Sequence, residues 1–399
     1  MTNRNRLFYY YHFSSLVDDT VRFDRVVIPR QPGKTLWRKI RLLASIFPFL
    51  WRIAVATRGE NLFFNHTARV RKNDDAASSL YLERLLTDLG RGLVIDEKPN
   101  EILYPPGICS AEFDGLHAWA ALFSRMAPKA KRSEFYFLLQ VWFWTAILRC
   151  LRPKAVYFLV WYSKLWLIAA CRRAGIKCVE LQHGLIYPEH PFYRYEPGNA
   201  VVGSEYLLPD EIWCYGEYWR KVLISNGFPE GRIRVSGYFP DTSRKQHATF
   251  PFIAYISNAE SPVELKQLIA FIRPGLRRRG WKLVIAPHSH SIENIQEHYG
   301  ALIDDDVRLL TRFDSYDLIH NSEAVVAAGS TMLWECIPLR KPGYLIHVEY
   351  KMPDCWDDLI KTGYVRRLGL EEFPEPFKLP PAGNQDHYFF AKYGSPVGL

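Results

Sequence analysis

The stretch from Val179 to Tyr193 reads VELQHGLIYPEHPFY and concentrates groups that handle protons. Gln182 and His183 can each donate or accept a hydrogen bond. Gly184 lets the backbone turn sharply or approach a ligand closely. An unperturbed imidazole titrates near neutrality, so a neutral His183 could take a proton from an attacking hydroxyl. Glu180 and Glu189 are the candidate carboxylate partners. On a strand Glu180 shares a face with Gln182 and His183 takes the other, while Glu189 could orient the imidazole only if the loop folds back. Tyr187, His190 and Tyr193 follow, where an acceptor sugar could stack and hydrogen-bond. A His-Gly pair by itself is more often a structural turn with a satisfied histidine, so the rest of the chain has to decide.

A second set of groups suits a phosphate. Gly329-Ser330-Thr331 stands at a strand-to-helix junction, with Ser330 a good N-cap and Thr331 opening the helix. Backbone N–H groups and the helix dipole favour an anion there. Glu335 lies one turn on, on the face of Thr331, and is out of capping-box register, so its carboxylate is free for ribose hydroxyls. Pro287-His288-Ser289-His290-Ser291 follows another strand, and Ser257-Asn258 a third. All three would lie at the carboxyl edge of one sheet, where His288 or His290 could meet a diphosphate. The alternatives are an ordinary capped helix with a solvated glutamate, and surface turns.

Other chemistries lack their motifs. Asp304-Asp305-Asp306 precedes a strand rather than following one, which makes it a polar turn at the entry edge and leaves no convincing metal site. Helix ends and Arg or Lys side chains would then have to meet the phosphate charge, with no cofactor beyond the nucleotide co-substrate. There is no G-x-G-x-x-G, P-loop or G-x-S-x-G elbow.

The elements that would position these groups alternate. The first half reads as strands over Leu7–Phe13, Asn61–Phe64, Leu93–Ile95, Ala155–Trp161, Lys177–Gln182, Glu211–Tyr215 and Arg232–Ser236. Helices are expected over Asp74–Leu89, Leu116–Met126, Ser133–Leu151, Tyr162–Ala174 and Glu217–Asn226, with 97–115 as loop. The second half alternates more cleanly. Strands are expected over Phe252–Ile256, Lys282–Ala286, Val307–Leu310, Ala324–Ala328 and Gly343–Ile346. Between them come helices over Pro262–Arg273, Ile292–Tyr299, Ser315–His320 and Thr331–Ile337. This predicts an α/β chain of two Rossmann-like, doubly wound domains facing across a cleft. The boundaries are 1–240 for an acceptor-side domain and 241–375 for a donor domain, with a Pro- and Gly-rich tail over 376–399 that could pack back on the first.

Composition agrees with a globular protein of more than one core: 399 residues, 48% hydrophobic and 23% charged. The seven cysteines include no CxxC, which speaks for a reducing compartment. The formal charge of +9 suits anionic lipid or phosphorylated small molecules. Nucleic acid ranks last, since no zinc-knuckle spacing or RNA-binding aromatic signature appears. No apolar run reaches the roughly 20 residues of a membrane span. Trp37–Arg52, basic at both ends and interrupted by Pro48, is either an interfacial segment on an anionic leaflet or a core helix with a basic edge.

Taken in order, Lys282–Ala286, His288, Ser315-Tyr316-Asp317-Leu318-Ile319, Gly329-Ser330-Thr331, Glu335 and Lys341-Pro342-Gly343 resemble the donor half of bacterial GT-B glycosyltransferases. The likeness is to those of capsule and lipopolysaccharide synthesis, including polysialyltransferases and capsule Kdo transferases. Gln182-His183-Gly184 is similar to a histidine-glycine motif of that group and of CDP-glycerol glycerophosphotransferases. The resemblance spans about residues 150 to 346. It implies a CMP- or UDP-linked donor, Ser330 and Thr331 on its phosphate, Glu335 on the ribose or base, and His288 near the phosphate. The relatives usually carry His-Pro where this chain has Pro287-His288-Ser289, which leaves His288 and His290 both open.

The expected function is metal-independent transfer of a sugar from a nucleotide donor to a glycan or lipid-linked glycan, in the bacterial cytoplasm or at the cytoplasmic face of the inner membrane. His183 would be the base and Glu180 its partner. The alternatives are a CDP-glycerol-type phosphotransferase and a non-catalytic, membrane-docked protein of a polysaccharide assembly complex.

Overall fold

The computed structural model describes residues 43–56, 60–65, 70–72, 77–79, 82–96, 104, 108–128, 131–188, 193, 207–238, 250–257, 262–287, 299–310, 315–346, 355–368, 377–381 and 384–391. His190, Asn258, His288, Ser289 and His290 lie outside them, as do the strand expected over Leu7–Phe13 and most of the helix expected over Ile292–Tyr299. The chain divides into two compact units. One is Met1–Val70 with Ser78–Pro240 and Lys392–Leu399, and the other is Arg71–Ala77 with Asp241–Ala391.

The chain runs through α1 (Ile46–Val55), β1 (Asn61–Asn65), a small ribbon of β2 (Val70–Lys72) and β3 (Ala77–Ser79), α2 (Glu83–Leu89), β4 (Gly92–Asp96) and β5 (Ile108–Glu112). It continues as α3 (Asp114–Ser124), α4 (Arg132–Leu151), β6 (Ala155–Phe158), α5 (Leu165–Ala174), β7 (Lys177–Leu181), β8 (Glu211–Cys214), α6 (Glu217–Ser225) and β9 (Ile233–Val235). Seven strands form one parallel sheet in the order β5-β4-β1-β6-β7-β8-β9. The winding reverses between β1 and β6. A doubly wound sheet opens its ligand crevice beside the carboxyl ends of such a pair.

The second unit repeats the plan with β10 (Phe252–Ile256), α7 (Pro262–Arg279), β11 (Lys282–Ala286), β12 (Val307–Leu309), α8 (Ser315–Asn321), β13 (Ala324–Ala327) and α9 (Met332–Leu339). β14 (Gly343–Ile346), α10 (Cys355–Lys361), β15 (Val365–Leu368) and α11 (Asn384–Phe389) follow. Its parallel order is β12-β11-β10-β13-β14-β15, with the reversal between β10 and β13. Central strands such as β6 (AVYF) and β13 (AVVA) are buried along their whole length. Helices cover both faces of such strands, which is why they read as unbroken apolar runs.

Several elements depart from expectation for physical reasons. The helix expected from Asp74 begins only at Glu83. The earlier residues Asp74-Asp75-Ala76-Ala77-Ser78-Ser79 bring no large apolar group to bury, and Asp and Ser compete with the helix for backbone bonds. Strand β5 lies within the stretch read as loop, where nearby Pro105, Pro106 and Gly107 masked it. Helix α7 continues through Pro274 because its apolar face does too. Burial of Leu276, about 1.5–3 kcal/mol, offsets much of the roughly 3 kcal/mol of a mid-helix proline. Pro48 acts as expected. Leu43 and Ala44 are helical, Ser45 turns, and α1 restarts at Ile46 with Pro48 in its first turn, where the missing N–H has no helical partner to lose.

The two cores differ in kind. In the first unit the Trp144 ring meets Phe49, Phe64, Phe113 and Trp166 at centroid distances of 6.0, 4.8, 5.8 and 5.6 Å. The second unit is mostly aliphatic, with Ile253, Leu265, Ile269, Leu283, Ile285 and Val326 around Tyr255 and Tyr344. Among the described residues no helix is long and apolar enough to cross a membrane.

Candidate functional site

The carboxyl edge of the first sheet holds the His-Gly stretch. The Gln182 N–H donates to the Trp213 carbonyl at 2.9 Å, and its side-chain Oε1 accepts the Tyr215 N–H at 2.9 Å. Its Nε2 donates to the Gly184 carbonyl at 2.9 Å. Both ends of the amide therefore hold the loop after β7 to the end of β8, and Gln182 positions His183 rather than presenting itself to a ligand. Gly184 does not take a left-handed backbone, and a Cβ there would meet open space. The turn itself therefore does not require a glycine. The Tyr187 carbonyl accepts from Asn226 Nδ2 at 3.1 Å, which ties the same loop to the end of α6.

Glu180 is fully buried. Its Oε1 accepts the Tyr193 hydroxyl at 2.6 Å and the Trp161 N–H at 3.3 Å, and Lys164, 1% exposed, faces it electrostatically. Among the described residues nothing hydrogen-bonds its Oε2. Burial pushes the Glu180 carboxyl up to about 8, against the pull of Tyr193, Trp161 and Lys164. Burial and the neighbouring carboxyl push the Tyr193 hydroxyl up as well. The Glu180 oxygens meet Tyr193 and the Trp161 N–H and not His183, which corrects the expectation of Glu180 as a direct partner of His183. Tyr193 is corrected too. It is buried among Trp161, Tyr162 and Phe228 at 6.4, 6.1 and 6.2 Å, so it packs instead of offering a free face to a sugar. The Tyr162 ring bridges this box to His183, 6.5 Å away. His183 itself is mostly buried.

The turn that carries Trp161 and Tyr162 is strained. Val160 has φ 60, a left-handed conformation that a β-branched residue rarely adopts. Glu180 holds this turn through the Trp161 N–H. Sequence reading placed Trp161 at a strand end and Tyr162 at a helix start and passed over Lys164. The available signal was that Lys164 is the only charged residue between Ala155 and Cys171. A second polar cluster flanks the β1 end of the same edge and was also missed. Asn65 Nδ2 and the Tyr104 hydroxyl both donate to Asp96 Oδ1, at 3.0 and 2.5 Å. Its signal was that the buried strands NLFFN and GLVID each end on a polar residue.

The second sheet's edge is different. Gly329, φ 87, follows β13 in a conformation that favours glycine. Ser330 Oγ accepts the Met332 N–H at 3.3 Å, so Ser330 caps α9 while Thr331, the residue before the helix, makes no side-chain cap bond. The Ser330 hydroxyl proton stays available to an anion. Gly329, Ser330 and Thr331 are half-buried and stand beside the reversal between β10 and β13. Glu335 is buried, not solvated. Ser257 is corrected. It is buried at the end of β10, and its hydroxyl pairs with that of Tyr299 at 3.0 Å, so it braces the core instead of facing a ligand. The Asp304 carboxylate accepts the N–H groups of Asp306 and Val307 at the entry of β12, and Asp304 and Asp306 pair with Arg273 and Arg277 at 2.7 Å.

Two doubly wound parallel sheets in tandem define a two-domain α/β fold of the GT-B-like kind. Solved structures share it. A putative UDP-N-acetylglucosamine 2-epimerase from Listeria monocytogenes matches with a TM-score of 0.53, 11% identity, and coverage of 85% of this chain and 92% of its own. The UDP-GlcNAc 2-epimerase of Methanocaldococcus jannaschii, in complex with UDP-GlcNAc and UDP, matches with a TM-score of 0.50, 10% identity, and coverage of 83% and 97%. The sequence matches no family model and no curated protein. At these identities the likeness carries the architecture and leaves the reaction open.

Proposed function

We propose that this chain is an enzyme acting on a nucleotide sugar. The observation that carries the reading is Gly329-Ser330-Thr331 at the start of α9, beside the winding reversal of the second sheet. A glycine turn, a hydroxyl and a helix N-terminus together suit a nucleotide phosphate. Further support comes from the fold shared with an enzyme solved with UDP-GlcNAc and UDP.

The reaction favoured is transfer of the sugar to a hydroxyl of a glycan or lipid-linked glycan during bacterial surface polysaccharide synthesis, as the His-Gly motif suggests. His183 takes the hydroxyl proton as that oxygen attacks the anomeric carbon. The bond from that carbon to the nucleotide phosphate breaks, and the nucleotide leaves with the electron pair. Ser330 and the α9 N-terminus meet the charge on the leaving phosphate, with His288 or His290 assisting. Glu180 serves as a positioning group, holding Tyr193 and the Trp161–Tyr162 turn behind His183. A second reading is epimerisation of a UDP-sugar, favoured by the solved structures that share the fold.

The test is incubation of the purified chain with UDP- and CMP-sugars and CDP-glycerol in deuterated water, with and without glycan acceptors. Transfer releases nucleotide only when an acceptor is present. Epimerisation places deuterium in the sugar without one. Phosphoglycerol appearing on an acceptor would point to the phosphotransferase. A chain that binds no nucleotide by thermal shift and turns nothing over would end all three.

A further inference from the structure

We propose that α1 and the C-terminal end of α3 form a docking surface for an anionic lipid leaflet. Helix α1 buries only Phe49 and Ile53, while Phe47 and Trp51, each 70% exposed, lie with Leu50 along an outer stripe at helical spacing. The Arg52 guanidinium donates to the Ser110 carbonyl of β5 and fastens the helix to the sheet. The patch continues onto α3. Trp119 donates through Nε1 to the Leu43 carbonyl at 3.0 Å, just before α1, and stacks on Phe123 at 5.5 Å. A Cβ on Gly115 would come within 2.5 Å of Ser45 Oγ, so the two segments pack closely at that point. Phe123 is exposed, and Met126 beyond it is 81% exposed.

Charge identifies the occupant. Residues 43–59 contain arginine and no acidic residue, and residues 116–133 contain Arg125, Lys129, Lys131 and Arg132 and no acidic residue. Arg125, Lys131 and Arg132 are exposed at the α3 end of the stripe. Aromatic and aliphatic groups that run toward the exposed cations Arg125, Lys131 and Arg132 suit the boundary of an anionic bilayer, where rings sit at headgroup depth and each nearby cation adds attraction. A second copy of the chain fits worse, because a two-fold contact would bring the same cations face to face. Single exposed apolar residues are ordinary, but Phe47, Leu50 and Trp51 lie together on one face of a short helix. This inference needs neither reading of the reaction. It would also explain access to an acceptor carried on lipid.

The test is co-sedimentation of the full chain with vesicles of phosphatidylcholine alone and of phosphatidylcholine mixed with phosphatidylglycerol, at low and high salt. The chain is expected to bind the anionic vesicles only, and less in high salt. Trp51→Glu and Phe47→Glu should each lower partitioning by about tenfold or more. Both should keep the unfolding midpoint, since both sites are exposed. Lys131→Glu should lower partitioning about fivefold. Equal binding by the wild type and Trp51→Glu would overturn the proposal, as would equal binding to neutral vesicles or none to either kind. So would a wild-type dimer that ignores vesicles and dissociates on Trp51→Glu, which would make the face a self-interface.

Discussion

The two sheets wind alike yet end differently. Through six strands both follow the order third, second, first, fourth, fifth, sixth. At the first sheet's edge Glu180 and Lys164 are shut away among aromatic rings, with His183 mostly buried beside half-buried Tyr162 and Gly184. At the second edge stand Gly329 and two hydroxyl residues, half-buried at a helix N-terminus. The same topology thus makes two crevice edges, and side-chain type decides their use. Buried titratable groups hold protons in a fixed frame. Small residues on a helix N-terminus leave room for an anion.

The contrast can be broken or sharpened by substitution. The largest effect is expected from His183→Ala, which should cut turnover by about 10²–10⁴ and leave nucleotide affinity nearly unchanged. Calorimetric titration showing affinity lost as well would mean the first edge also holds the nucleotide. Next comes Glu180→Gln. Glu180 titrates at about 8 in the fold against an ordinary value of 4.5, so the folded state keeps a proton that the unfolded chain has released. Its contribution therefore falls as pH rises through that window and levels off above it. Glu180→Gln should flatten stability across the window by up to about 1.4 kcal/mol per pH unit. Denaturant midpoints at several pH values check this, and an unchanged slope would remove Glu180 as a proton-holding group.

Ser330→Ala should raise the nucleotide Kd by roughly tenfold, the worth of a hydrogen bond to a charged phosphate, with turnover at saturation largely kept. Intact affinity would empty the second edge of its role. The smallest effect is expected from Ser257→Ala, about 1 kcal/mol of stability from the lost Tyr299 contact, without change in nucleotide affinity. A large affinity loss there would restore Ser257 as a ligand group.

Much of the fold was legible. Phe252–Ile256, Lys282–Ala286 and Gly343–Ile346 are strands with the expected ends, because buried parallel strands are short apolar runs bounded by polar residues. The segments after residue 346 were not. Cys355–Lys361, Val365–Leu368 and Asn384–Phe389 are short, and β15 is exposed at its middle residues, so no periodicity marks them. The candidate site was legible as a location and much less as a set of roles. His183 and Ser330 stand at carboxyl edges as expected. Gln182, Tyr193 and Ser257, which looked like ligand groups, are spent on internal hydrogen bonds.

The residue pattern along the chain dictates the alternation of strands and helices, the parallel character of the sheets, and the two places where polar residues end apolar runs. These follow from local composition and spacing, which act over a few residues. The strand order, and with it the place where the winding reverses, is set by long-range packing. That packing also decides that Glu180 meets Tyr193 and Lys164 in a closed box, while Ser330 stays within reach of solvent. Burial and partner choice depend on contacts between residues far apart in the chain, and no spacing along the chain encodes them.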